Sequence, residues 1–183
     1  NGNRAATPEE WLAYARSLRT ASLKTSSSSL GVPIIWGTDA VHGHNNVRGA
    51  MIFPHNIGLG AINDPQLIGE IAVATAREVA ATGIDWTFAP TLAQAKDYRW
   101  GRTYESYSDD PDLVEAYGRA MVEGIEGEGL AATAKHFIGD GGTTAGRDQG
   151  NTELSTADLL AQHGSGYTGA FDAAVDTVMA TFN

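Results

Sequence analysis

Leu130-Ala131-Ala132-Thr133-Ala134-Lys135-His136-Phe137 is a small, nearly unbroken apolar run that ends on an ammonium and an imidazole. A half-exposed strand alternates polar with apolar residues, whereas a strand covered on both faces reads as a continuous run, as in parallel sheets packed between helices. Three further runs share this character: Val32 to Trp36, Ile84 to Ala89 and Thr177 to Phe182. Between them lie segments with helix start signals. Thr7 precedes Pro8 and Glu10, and the stripe Trp11, Ala15, Leu18 follows. Asp64-Pro65 and Asp110-Pro111 repeat the cap-then-proline device ahead of Leu67, Ile71, Thr75 and of Leu113, Tyr117, Met121. Ser155 with Asp158 makes a fourth capping pair. An oxygen-bearing cap satisfies the free N–H groups of the first turn, and proline at the first helical position loses nothing by lacking one. Strand then helix, repeated, predicts an α/β fold with parallel strands.

Strand starts at 32, 84, 131 and 177 lie 52, 47 and 46 residues apart. At that spacing eight units would occupy about 390 residues, while a (β/α)8 barrel takes roughly 250 and seldom fewer than 200. The chain therefore reads as part of a (β/α)8 TIM-type barrel, about four strand–helix units of it. A complete doubly wound sheet is the alternative, but its fingerprint is missing. Gly58-Leu59-Gly60 is the nearest approach to a phosphate loop, and Asn63 stands where the third glycine belongs.

Composition narrows the partners. The 183 residues carry 12 basic and 22 acidic side chains, a formal charge of −10. Nucleic acid and anionic membrane surfaces both reward clustered Lys and Arg, so neither is expected to bind here. Without cysteine there is no disulfide and no thiolate metal site. No stretch approaches 18 consecutive apolar residues, and no basic start leads into an apolar segment. The chain opens on Asn1 rather than Met, which suggests a processed or truncated product. Ser26 to Ser29 reads as a solvated loop.

In either α/β architecture ligands gather at the carboxyl ends of the strands. Asp39 follows the first run, and Lys135 and His136 end the third. Arg102 lies in the segment Thr91 to Ser108, a connection much longer than the usual two to six residues and rich in aromatic rings: Tyr98, Trp100, Tyr104 and Tyr107. A carboxylate, a guanidinium, an ammonium and an imidazole suit a polyhydroxylated ligand, because sugar hydroxyls both donate and accept and aromatic faces cover the ring's C–H surface. Each residue also has an ordinary structural use. Asp39 can cap Ala40 to His42, Arg102 can pair with Glu105 or Asp109, Lys135 can serve as a buried counter-ion, and His136 can be a core histidine. His42, His44, His55 and His136 lack a familiar metal-ligand spacing, so no metal and no other cofactor is expected. No Gly-x-Ser-x-Gly elbow occurs. Gly139 to Thr144 is either an anion nest, which would make a phosphate-binding α/β domain, or a flexible loop.

These segments resemble glycoside hydrolase family 3, the β-glucosidase and exo-glucanase family, along essentially the whole chain. The resemblance is carried by Pro33-Ile34-Ile35-Trp36-Gly37-Thr38-Asp39-Ala40-Val41-His42-Gly43-His44, by Phe53 to Gly60, by Phe88-Ala89-Pro90 and by Arg99 to Ser108. Ala134-Lys135-His136-Phe137, Gly146-Arg147-Asp148 and Val178 to Asn183 complete it. The resemblance implies a barrel whose mouth grips the terminal non-reducing sugar, with Asp39, Arg102, Lys135 and His136 hydrogen-bonding a glucose unit. It also implies hydrolysis with retention, by an aspartate nucleophile and a separate acid/base carboxylate. In the family both lie beyond Asn183, the second in a further α/β domain. Residues 1–183 are thus expected to be an incomplete N-terminal catalytic barrel that holds no catalytic carboxylate, with the remainder of the same enzyme as partner and a β-linked glucoside as substrate. The family points to secretion or the periplasm. Tyr98 stands where many members have proline, and Asp109-Asp110 replaces a frequent Glu-Asp pair. The exo-glucanase branch is the nearer one. The alternative from another class is a non-catalytic sugar-binding module.

Overall fold

The computed structural model describes residues 6–27 and 29–183. Asn1 and Ser28, on which two of the readings above touch, lie outside the described residues. The chain order is α1 (Pro8–Ser22), β1 (Thr25–Ser26), β2 (Ser29–Leu30), β3 (Gly37–Thr38), α2 (Asn56–Ile62) and α3 (Pro65–Ala81). Then follow β4 (Trp86–Thr87), α4 (Pro111–Glu126), β5 (Thr133–Phe137), α5 (Thr156–His163), α6 (Ser165–Asp172) and β6 (Thr177–Ala180).

All four capped helix starts form as the sequence predicts. Thr7 Oγ1 accepts from Glu10 N while Glu10 Oε2 accepts from Thr7 N, closing the capping box at α1. The Asp64 side chain accepts from Leu67 N at α3, Asp110 from Asp112 N at α4, and Ser155 Oγ from Asp158 N at α5. The apolar stripes then turn inward. Ile68, Ala72, Ala76 and Val79 of α3 and Val114, Tyr117, Met121 and Val122 of α4 are buried in one cluster with the strand residues Ala132 and Ala134. Each large apolar side chain buried this way contributes about 1.5–3 kcal/mol relative to exposure. Tyr117 also ties the layers together, donating its hydroxyl to the Leu59 carbonyl and accepting from Asp64 N.

The strands run parallel and follow chain order across the wall. Gly37 and Thr38 pair with Trp86 and Thr87. Trp86 bridges Ala131, Thr91 bridges Lys135, and β5 pairs with β6 from Thr133↔Thr177 onward. Each step is closed by long-range backbone bonds, among them Phe88 N to Thr38 O, Thr133 N to Ala89 O and Thr181 N to Phe137 O. A doubly wound sheet reverses its strand order at a switch point. Here the order never reverses, so these strands are consecutive staves of a barrel-type wall, with a polar thread along its interior. Trp86 Nε1 donates to Thr133 Oγ1, and Thr177 Oγ1 donates to the Ala132 carbonyl.

Three expectations need correction. In the first run the ladder begins at Gly37 rather than Val32, and Val32 and Ile35 are exposed. Pro33 lacks an N–H, and among the described residues no strand lies on that side, so the residues before Gly37 gain no second neighbour. For the same reason β6 alternates between half-buried and exposed positions instead of being covered on both faces. Thr25–Ser26 and Ser29–Leu30 form a small antiparallel hairpin in place of a plain loop. Gly58-Leu59-Gly60 is the interior of α2, in keeping with the missing phosphate-loop fingerprint.

Candidate active site

β3, β4 and β5 deliver their carboxyl ends to one face, and the four candidate residues meet there in two contacts. Lys135 Nζ lies 2.8 Å from Asp39 Oδ1. Arg102 Nη2 lies 3.5 Å from His136 Nε2, long for a hydrogen bond. The Lys135 side chain is almost wholly buried and Asp39 about half exposed, so the ion pair reaches from the wall toward solvent. Lys135 and His136 are neighbours in the chain, which on a regular strand would send them to opposite faces. A register shift between Lys135 and Phe137 leaves His136 without an opposite residue on β6, and a bulge of this kind re-aims side chains.

The long segment Thr91 to Ser108 holds Arg102 through many tertiary ties. Leu92 N donates to Lys135 O, Lys96 N to Gly141 O and Ala95 N to Ser106 Oγ. Asn56 Nδ2 donates to the Glu105 carbonyl, and Trp100 Nε1 to Asp148 Oδ1. On that frame Arg102 makes a two-point contact with Glu105, at 2.7 and 2.9 Å, which raises the guanidinium pKa further. The structural use foreseen for Arg102 is thus real, and it orients the guanidinium beside His136. Asp39, in contrast, caps no helix at Ala40 to His42, where isolated bridges form instead.

The aromatic rings divide. Trp100 and Tyr107 are buried, the latter edge-on to Tyr117, and serve packing. Tyr98 and Tyr104 are exposed. Tyr104 packs edge-on against His55, whose ring lies tilted against His42 with centroids 4.2 Å apart. The Gly139 to Thr144 stretch is a turn in which two amides are engaged: Gly142 N bonds Gly139 O, and Thr144 N bonds Asn151 O.

Two residues near the site were not singled out in the sequence. Asp140 Oδ2 lies 2.8 Å from His136 Nδ1, and its i, i+4 spacing was the available signal. His163 is buried with both ring nitrogens unpaired among the described residues, and nothing local in the sequence marks it. Burial pushes the pKa values of His163 and of His44, which contacts Thr82 Oγ1, from 6.5 down to about 4. The folded form therefore resists protons that the unfolded chain accepts. Stability is full above about pH 6.5 and declines as the pH falls toward 4, by up to ~3 kcal/mol for each histidine. Urea midpoints recorded from pH 7 to pH 4 are expected to fall across that window, and a flat profile would contradict the assignment.

Consecutive parallel strands of a barrel-type wall, with two cations, a carboxylate and an imidazole gathered at their carboxyl ends, define the class: a barrel-wall domain with a polar cluster at its strand ends. The profile of the glycosyl hydrolase family 3 N terminal domain matches residues 3–183, and the chain belongs to that family. It is 52% identical to the exo-1,3/1,4-beta-glucanase ExoP of a Pseudoalteromonas species, solved as a mutant. That superposition has a TM-score of 0.94 and covers 98% of this chain and 30% of the other. A beta-glucosidase of Listeria innocua solved with glucose is 34% identical, with a TM-score of 0.83 over 90% of this chain and 23% of that one. A lysosomal beta glucosidase of Dictyostelium discoideum is 33% identical over 150 residues, which are 76% of this chain and 18% of that protein. The chain thus spans under a third of the length of these relatives.

Proposed function

We propose that residues 1–183 are the substrate-gripping part of an incomplete N-terminal catalytic barrel in a retaining, exo-acting glycoside hydrolase. The enzyme removes terminal non-reducing β-D-glucosyl residues from β-glucosides or β-glucans. The observation that carries this reading is the meeting of Lys135 with Asp39 and of Arg102 with His136 at the strand ends. Lys135 and Arg102 donate to sugar oxygens, while Asp39 and His136 provide acceptor atoms. Charged partners hold hydroxyls more strongly than neutral ones do, and a bound pyranose presented in one orientation lowers the entropic part of the barrier.

Retention requires two carboxyl groups about 5–5.5 Å apart, one attacking the anomeric carbon and one protonating the leaving oxygen. Both are assigned here to polypeptide other than these 183 residues, the acid/base to a second α/β domain. The role of Asp39, Arg102, Lys135 and His136 is then to bind and orient. The enzyme works outside the cytoplasm in this reading, as the name of a 28%-identical relative, a periplasmic beta-glucosidase of Salmonella typhimurium, suggests.

Calorimetric titration with glucose and assay with an aryl β-glucoside test it. The full chain is expected to bind and turn over, while residues 1–183 alone give no turnover. Robust hydrolysis by the 183 residues alone would overturn the assignment of the carboxylates. Glucose binding by a full chain that never hydrolyses would favour a non-catalytic sugar-binding module.

A further inference from the structure

We infer that Asp140 is a positioning residue for His136: it fixes the imidazole in the Nδ1–H tautomer, so that Nε2 faces the site as a hydrogen-bond acceptor. Asp140 is buried and His136 mostly buried, and Nδ1 and Oδ2 are 2.8 Å apart. A neutral imidazole has one donor and one acceptor nitrogen, and its neighbours decide which is which. A carboxylate only accepts, so the proton belongs on Nδ1. On the other side of the ring stands Arg102 Nη2, which only donates. The Arg102 contact favours the same tautomer but at 3.5 Å is too long to fix it, so the choice rests on Asp140 and Nε2 stays open to a ligand.

Asp140 is itself held firmly. It leaves β5 in a turn closed by Gly142 N to Gly139 O, and the turn is pinned to the long loop by Lys96 N to Gly141 O. Its second oxygen is buried without a hydrogen bond among the described residues, so the carboxylate is committed to His136.

The consequence is ligand discrimination, and this part rests on the proposed sugar site. Lys135 and Arg102 by themselves would welcome any oxyanion. An Nε2 acceptor requires a ligand group that donates, which a hydroxyl does and an ionised phosphate or carboxylate oxygen does not. Asp140 thereby biases a cationic mouth toward neutral polyols.

The test is a long-range 1H–15N correlation spectrum of 15N-histidine-labelled full chain at a pH where the His136 ring is neutral. Expected are a protonated Nδ1 and a bare Nε2 in the wild type. In Asp140→Ala the ring relaxes toward the Nε2–H form, and glucose affinity falls about 10- to 100-fold. A wild-type ring protonated on Nε2 overturns the inference whether or not the variant folds, and so does an unchanged tautomer in a folded variant. An Nδ1–H ring in a chain that does not bind glucose would leave the positioning role standing and remove the sugar reading instead.

Discussion

Lys135→Met in the full chain is expected to lower kcat/KM for an aryl β-glucoside by roughly 10²- to 10³-fold, with a matching loss of glucose affinity. The substitution keeps most of the side-chain volume and removes the ammonium 2.8 Å from Asp39. Truncating one partner of a buried, hydrogen-bonded charge pair costs about 2–5 kcal/mol in a complex, and the stated rate loss, about 2.7–4.1 kcal/mol, is the middle of that range. Folding should suffer little. Asp39 is half exposed, so its carboxylate stays solvated when the ammonium is removed. The reverse change, Asp39→Ala, strands an ammonium that is about 95% buried and should depress both binding and stability. Steady-state kinetics and thermal melts of the two variants separate these effects, and a Lys135→Met enzyme with wild-type kcat/KM would remove the pair from the site.

Gly60→Ala is expected to destabilise the fold by about 3 kcal/mol or more, the upper end of the cost of overpacking. A Cβ at position 60 would run into the Tyr107 carbonyl oxygen and sit 2.6 Å from the Tyr107 carbonyl carbon. Both contacts are backbone, so neither can swing aside. The loop that carries Tyr107 also carries Arg102, and Asn56 on the same helix holds it through the Glu105 carbonyl. A shift of that loop is therefore expected to weaken ligand binding at the proposed site as well. Gly58→Ala is the control: two residues earlier in α2 its nearest neighbour is the Pro54 side chain at 3.1 Å, and the gain in helix propensity offsets the squeeze. Urea midpoints that are equal for the two variants would refute the close-approach argument.

Helix starts were legible because caps act within four residues of sequence. Thr7 with Glu10 and Ser155 with Asp158 stand as read. Strand limits were less legible, since an apolar run states that burial is available and not where a neighbour begins. Ile34 and Ile35 look like core residues, yet both are exposed on the open side of the wall. Arg102 shows how two readings merge: it pairs with Glu105 as a local structural residue, and that pairing aims it at His136.

By itself the sequence determined the α/β alternation, the family, and the positions that bring polar groups to strand ends, because periodicity, caps and motifs are properties of short stretches. Only the tertiary structure decided that the strands follow one another without reversal, that Lys135 meets Asp39 across 96 positions, and that Asp140 holds the far side of His136. Register and strand order bring distant residues together, and a bulge of one residue settles which side chain faces the mouth. Those quantities depend on every neighbour at once, so no local stretch of sequence records them.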